Sequence, residues 1–176
     1  MTYETIFAGF GGQGILFSGK VVAYAGMLEG LNVSHLPSYG PEMRGGTANC
    51  SVIVSDEPVA SPLITEPTAL VVMNGPSLDK FEKAVVPGGK IFIDSTLISR
   101  KCERDEVDVY TIPATQMALD MGIAKLANMI IVGKLIKETN MFTWEQLEGA
   151  ITKLVPASKA AMLESNIKAL RAGYEY

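Results

Sequence analysis

The chain has 176 residues, 15 Lys and Arg against 19 Asp and Glu, a hydrophobic fraction of 48% and a charged fraction of 19%. Such a composition excludes a disordered chain, and the length fits one domain with a core of its own. The net charge of −4 and the lack of a basic stripe argue against a nucleic-acid partner.

Two cysteines, Cys50 and Cys102, and one histidine, His35, leave little metal chemistry to the chain alone. An iron–sulfur cluster takes about four thiolates and a closed zinc site about four Cys or His ligands. Neither set exists here, so no metal site is expected. With no disulfide framework, no basic leader and no apolar run near the ~20 residues that span a bilayer, a reducing cytoplasm and no membrane are expected.

In chain order, Glu4–Ala8 reads as a short strand, Gly9–Gly14 as a GFGGQG loop, and Ile15–Leu28 as a helix stopped near Gly30. Leu31–His35 reads as a second strand, and Pro37–Gly46 (PSYGPEMRGG) as an irregular loop. Thr47–Ser55 alternates, with Ala48, Cys50, Val52 and Val54 on one face. Ala69–Met73 is a run of the buried parallel type. Ser77–Val86 follows as a helix opened by a serine cap and ended at Pro87-Gly88-Gly89. Strands are expected at Lys90–Asp94 and Val107–Ile112, then helices at Thr115–Asp120, Ile123–Lys137, from Thr143, and from about Ala157 to Ala172. Thr143 and Gln146 have the spacing of a capping box.

Strands alternating with helices predict a three-layer α/β/α domain with a mostly parallel, mixed sheet, a Rossmann-like first turn and a helical C-terminal segment from about residue 140. Both glycine-rich loops follow strands, which would bring them to one rim of the sheet.

Gly9, Gly11 and Gly14 match GxGxxG, which favours a dinucleotide, but the acid expected at the end of the second strand is missing near His35-Leu36. Gly14, Gly19 and Lys20 approach a phosphate loop, yet Val21 stands where a hydroxyl should be. In the second loop, Arg44 offers a planar fork to a carboxylate or phosphate, and Glu42 is its alternative local ion partner. Asn128, inside an apolar helix, either bonds a neighbouring loop or faces a ligand. His35 and the helical methionines read as structural.

Taken together, GFGGQG and SYGPEMRGGTANCSVIVSD resemble the gamma subunit, or gamma domain, of 2-oxoacid:ferredoxin oxidoreductases. The resemblance continues through AKLANMIIVGKL (Ala124–Leu135) and NIKALRAGY (Asn166–Tyr174), over essentially residues 1–176. Ser38–Gly46 is most similar to the 2-oxoglutarate branch; the pyruvate, branched-chain and indolepyruvate branches share the frame.

The resemblance implies a hetero-oligomeric enzyme with alpha, beta and ferredoxin-like delta subunits. It would oxidatively decarboxylate a 2-oxoacid with coenzyme A and pass electrons to ferredoxin. Thiamine diphosphate, Mg2+ and the iron–sulfur clusters would sit on the partner subunits, with coenzyme A as co-substrate and no catalytic residue in this chain alone. By the same resemblance, Gly11, Gly12, Gln13 and Gly14 would form one wall of a composite site. Tyr39, Gly40, Pro41, Glu42, Arg44, Gly45 and Gly46 would form the other, with Asn128 nearby. The alternatives are a stand-alone NAD(P)-binding protein and a purely structural scaffold; isolated, the chain is a candidate homodimer.

Overall fold

The computed structural model describes residues 1–38 and 46–176. Among these residues six strands form one sheet in the order β2-β3-β1-β4-β5-β6: β1 (Thr2–Phe10), β2 (Asn32–Ser38), β3 (Thr47–Ser55), β4 (Ala69–Val72), β5 (Lys90–Asp94) and β6 (Asp108–Ile112). β1, β4, β5 and β6 are parallel, whereas β3 pairs antiparallel with both β1 and β2. The sheet is therefore mixed and mostly parallel, as expected.

Helix α1 (Ile15–Leu28) crosses over β3 to reach β2, while α3 (Ala114–Asp120), α4 (Ala127–Thr139), α5 (Trp144–Leu154) and α6 (Ala160–Glu175) build up the same layer. Its core is Phe7, Cys50, Val52, Val71 and Phe92 packed on Val22, Met129, Ile130, Leu147 and Leu170. The opposite face, with Ile6, Leu70, Val72, Ile91 and Ile93, is covered by α2 (Gly75–Phe81) through Leu78, and by Val85 and Ile98. Among the described residues the third layer is thus much thinner than the first. No helix among them is long and apolar enough to cross a membrane.

Several local expectations shift. The Ser77 start is replaced by Asn74, whose side chain accepts the Ser77 N–H at 2.8 Å, so α2 opens two residues earlier and ends in a 3-10 turn at Glu82–Ala84. Asn is as good a cap as Ser, and Pro76 at the second helical position fits an N-terminus that needs no N–H there. β2 runs on to Ser38, absorbing Pro37, because an edge strand tolerates a residue that cannot donate to a ladder. The expected Ile123–Lys137 helix divides into a 3-10 turn, Ala124–Leu126, and α4, which ends at Asn140 in the left-handed region. The Thr143 capping box forms as read, with Gln146 N–H donating to Thr143 Oγ1 at 3.2 Å and Thr143 N–H to Gln146 Oε1 at 2.9 Å.

Candidate functional site

The carboxyl ends of β1, β4, β5 and β6 share one rim, and the turn from β1 to α1 stands on it. Phe10, the last residue of β1, is 39% exposed there. Gly12 and Gly14 have φ of 92° and 76°, values that side chains resist. Through these two glycines the chain reverses from strand to helix within four residues.

The loop is braced by one side chain. Gln13 Oε1 accepts the Phe10 N–H at 2.6 Å, while its Nε2 donates to the Met73 carbonyl at 3.0 Å, tying β1 to the end of β4. Gln13 thus frames the loop, both ends of its amide being engaged by the protein. Asn128 resolves toward the loop: its Nδ2 donates to the Gly14 carbonyl at 3.1 Å.

What the brace leaves free is a row of backbone donors. Gly14 is the N-cap of α1, which has no side-chain cap and no acid in its first turn. Among the described residues nothing accepts the N–H of Gly12, Gly14, Ile15, Leu16 or Phe17. Unpaired N–H groups at the positive end of a helix favour an anion, by about 0.3–1 kcal/mol per charge near the first turn.

The second loop returns to the same place. The Gly11 N–H donates to the Gly46 carbonyl at 3.1 Å, and Phe10 faces Thr47 in the β1–β3 register. Tyr39, Gly40, Pro41, Glu42, Arg44 and Gly45 lie outside the described residues. Their flanks, Ser38 at the end of β2 and Gly46 before β3, both lie at the rim end of the sheet.

Two sequence near-misses are settled by topology. Antiparallel β3 stands between β1 and β2, so the end of β2 is one strand removed from the glycine loop, unlike a dinucleotide fold in which those strands adjoin. Gly19 lies in mid-helix, where a Cβ would meet Cys50 Sγ at 2.6 Å, so it serves close helix–sheet packing instead of a phosphate loop. The two cysteines sit on opposite faces of the sheet, and burial under α1 pushes the Cys50 thiol up to about 12. His35 is exposed on edge strand β2, in a shallow groove with Lys20 and Tyr24.

Sequence reading missed Asp94, fully buried at the end of β5. Its carboxylate accepts the Thr96 N–H at 3.1 Å and both the N–H and hydroxyl of Thr115, joining the β5 turn to the start of α3. An acid ending a buried strand, 21 residues before a threonine, leaves no local pattern to find.

Fold and rim define an α/β protein with a Rossmann-like first turn and a first helix whose N-terminus has no side-chain cap. Residues 4–176 match the family model described as "Pyruvate ferredoxin/flavodoxin oxidoreductase", and the chain belongs to that family. It is 34% identical over 178 residues to the 2-oxoglutarate synthase subunit KorC of Methanocaldococcus jannaschii, covering 99% of this chain and 94% of that protein. It is 38% identical over 169 residues to the ketoisovalerate oxidoreductase subunit VorA of Methanothermobacter thermautotrophicus, covering 96% of this chain but only 35% of that protein. The keto/oxoacid ferredoxin oxidoreductase gamma subunit of Geobacter sulfurreducens has the same fold, with a TM-score of 0.87 at 30% identity, covering 99% of this chain and 95% of that one.

Proposed function

We propose that this chain is the gamma subunit of a multi-subunit 2-oxoacid:ferredoxin oxidoreductase that acts on 2-oxoglutarate. Its rim completes a composite site for coenzyme A and the thiamine-bound substrate. The observation that carries this reading is the uncapped α1 terminus, with a row of N–H groups unpaired among the described residues, on the loop whose Gly11 N–H bonds the Gly46 carbonyl. Main-chain donors at Gly12, Gly14 and Ile15 suit phosphate or carboxylate oxygens, and the glycines, without Cβ, allow a long cofactor to pass close. Arg44, within Tyr39–Gly46, would add a two-pronged cation. Alpha, beta and delta partners would carry thiamine diphosphate with Mg2+ and the iron–sulfur clusters, and ferredoxin would take the electrons. The match to KorC over almost the full length of both chains favours 2-oxoglutarate.

The test is reconstitution of the chain with its alpha, beta and delta partners, assayed over a panel of 2-oxoacids with coenzyme A and a viologen dye. Dye reduction that needs this chain and is fastest with 2-oxoglutarate is expected. Full turnover with the chain omitted, or failure of the four chains to associate, would overturn the proposal. Arg44→Ala should raise the KM for coenzyme A or oxoacid in an intact complex.

A further inference from the structure

Three donors converge on one carbonyl at the start of α1. Gly14 O accepts the Ser18 N–H at 3.0 Å, the Ser18 hydroxyl at 3.1 Å and Asn128 Nδ2 at 3.1 Å; the same Nδ2 lies 3.3 Å from Ser18 Oγ. Asn128 comes from α4, is 3% exposed, and its Oδ1 has no partner among the described residues. A buried amide oxygen without a donor costs about 1–3 kcal/mol, so this side chain is an expensive way to fill space.

The carbonyl so gripped belongs to the peptide unit between Gly14 and Ile15. That unit is planar: fixing its oxygen fixes the direction of the Ile15 N–H at its other end. Donors on the oxygen also draw electron density along the peptide and strengthen the opposite N–H as a donor. The Ile15 N–H is one of those left without an acceptor among the described residues. Adding a Cβ at Gly14 would drive it into the Asn128 amide, so this contact also requires glycine at position 14.

We propose that Asn128 is a positioning residue of the loop site: through Gly14 O it aims and polarises the Ile15 N–H toward an anionic oxygen of the bound molecule. The inference rests on the loop being a binding site. The oxygen belongs either to a phosphate of coenzyme A or to the carboxylate of the oxoacid, and the two are separated by measurement.

The experiment uses the reconstituted complex carrying wild-type chain, Ser18→Ala, Asn128→Ala or Asn128→Asp, with KM determined separately for coenzyme A and for 2-oxoglutarate. In Asn128→Ala one of the two KM values should rise about fivefold, several times more than kcat falls, with subunit content unchanged. Asn128→Asp, which keeps the shape but sets an acceptor against Gly14 O, should be worse than Ala; a space-filling role would give the opposite order. Ser18→Ala should raise the same KM less. Both KM values within 1.5-fold of wild type in Asn128→Ala and Ser18→Ala would overturn the inference. Should Asn128→Ala fail to assemble, Ser18→Ala decides by the same criterion. A wild-type complex whose turnover ignores this chain would instead sink the functional reading.

Discussion

The Gly11 N–H meets the Gly46 carbonyl at 3.1 Å, so one hydrogen bond pins the first glycine loop to the exit of the second. Because β3 starts at Thr47 opposite Phe10, this bond continues the β1–β3 ladder one step past the sheet. The first loop and the exit of the second therefore meet on one strand pair.

Gly14 and Gly30 make a controlled comparison. Both have positive φ, 76° and 72°, but only at Gly14 would a Cβ meet a neighbour, the Asn128 amide; nothing lies within 4 Å at Gly30. Gly30→Ala should cost only the backbone term, about 1–2 kcal/mol. Gly14→Ala should cost more and, if the loop is the proposed site, raise the KM for coenzyme A or for the 2-oxoacid. Urea melts of each variant, with KM measured in the complex, check both statements.

The Gln13 clamp spans two strands. Gln13→Leu strips partners from the Phe10 N–H and the Met73 carbonyl and should lower stability by about 1–2 kcal/mol. Amide hydrogen exchange should accelerate at Phe10 and across the loop, but not in β5. Unchanged exchange at Phe10 would show that the clamp does not hold the loop.

Helices α4 and α6 touch backbone to backbone. A Cβ on Gly133 would fall on the Leu170 carbonyl, and one on Gly173 on the Ile130 carbonyl. Gly133→Ala and Gly173→Ala should each destabilise by about 1–3 kcal/mol through overpacking. Trp144, the one tryptophan, reports the event: Arg171 lies 4.4 Å above its ring and Tyr174 packs at 5.4 Å, both from α6. Its emission should shift to the red in either variant.

Glu82 carries the clearest pH dependence. Burial pushes its carboxyl up, but the Arg100 guanidinium, at 2.9 and 3.2 Å, and the Glu103 N–H outweigh this and leave it below the usual range. A carboxyl lowered on folding adds stability that is fully present above its unfolded value, about 4.3, and lost as pH falls through the folded one. Glu82→Gln should therefore cost about 1–3 kcal/mol at pH 7 by leaving Arg100 short of a partner. The gap to wild type should begin to narrow as pH falls below about 4.3 and close only below the lower folded-state value, as urea melts would show.

Much of this molecule is written in local pattern. Thr47–Ser55 alternates and forms a strand with the bounds read, Ala69–Val72 is apolar throughout and buried on both faces, and the Thr143 box starts α5 where its spacing requires. Periodicity, caps and glycines act within a few residues, so the sequence alone determined where helices and strands lie and that both glycine loops follow strands. It did not determine which strands adjoin. The antiparallel insertion of β3 between β1 and β2 depends on pairing between distant segments, and no local run of residues encodes its partner. The same holds for Asn128, whose bond to Gly14 spans 114 positions, and for the glycine contacts of α4 with α6. Burial pattern is a property of a segment; hydrogen-bond partners at the rim are a property of the folded whole, and only tertiary packing could assign them.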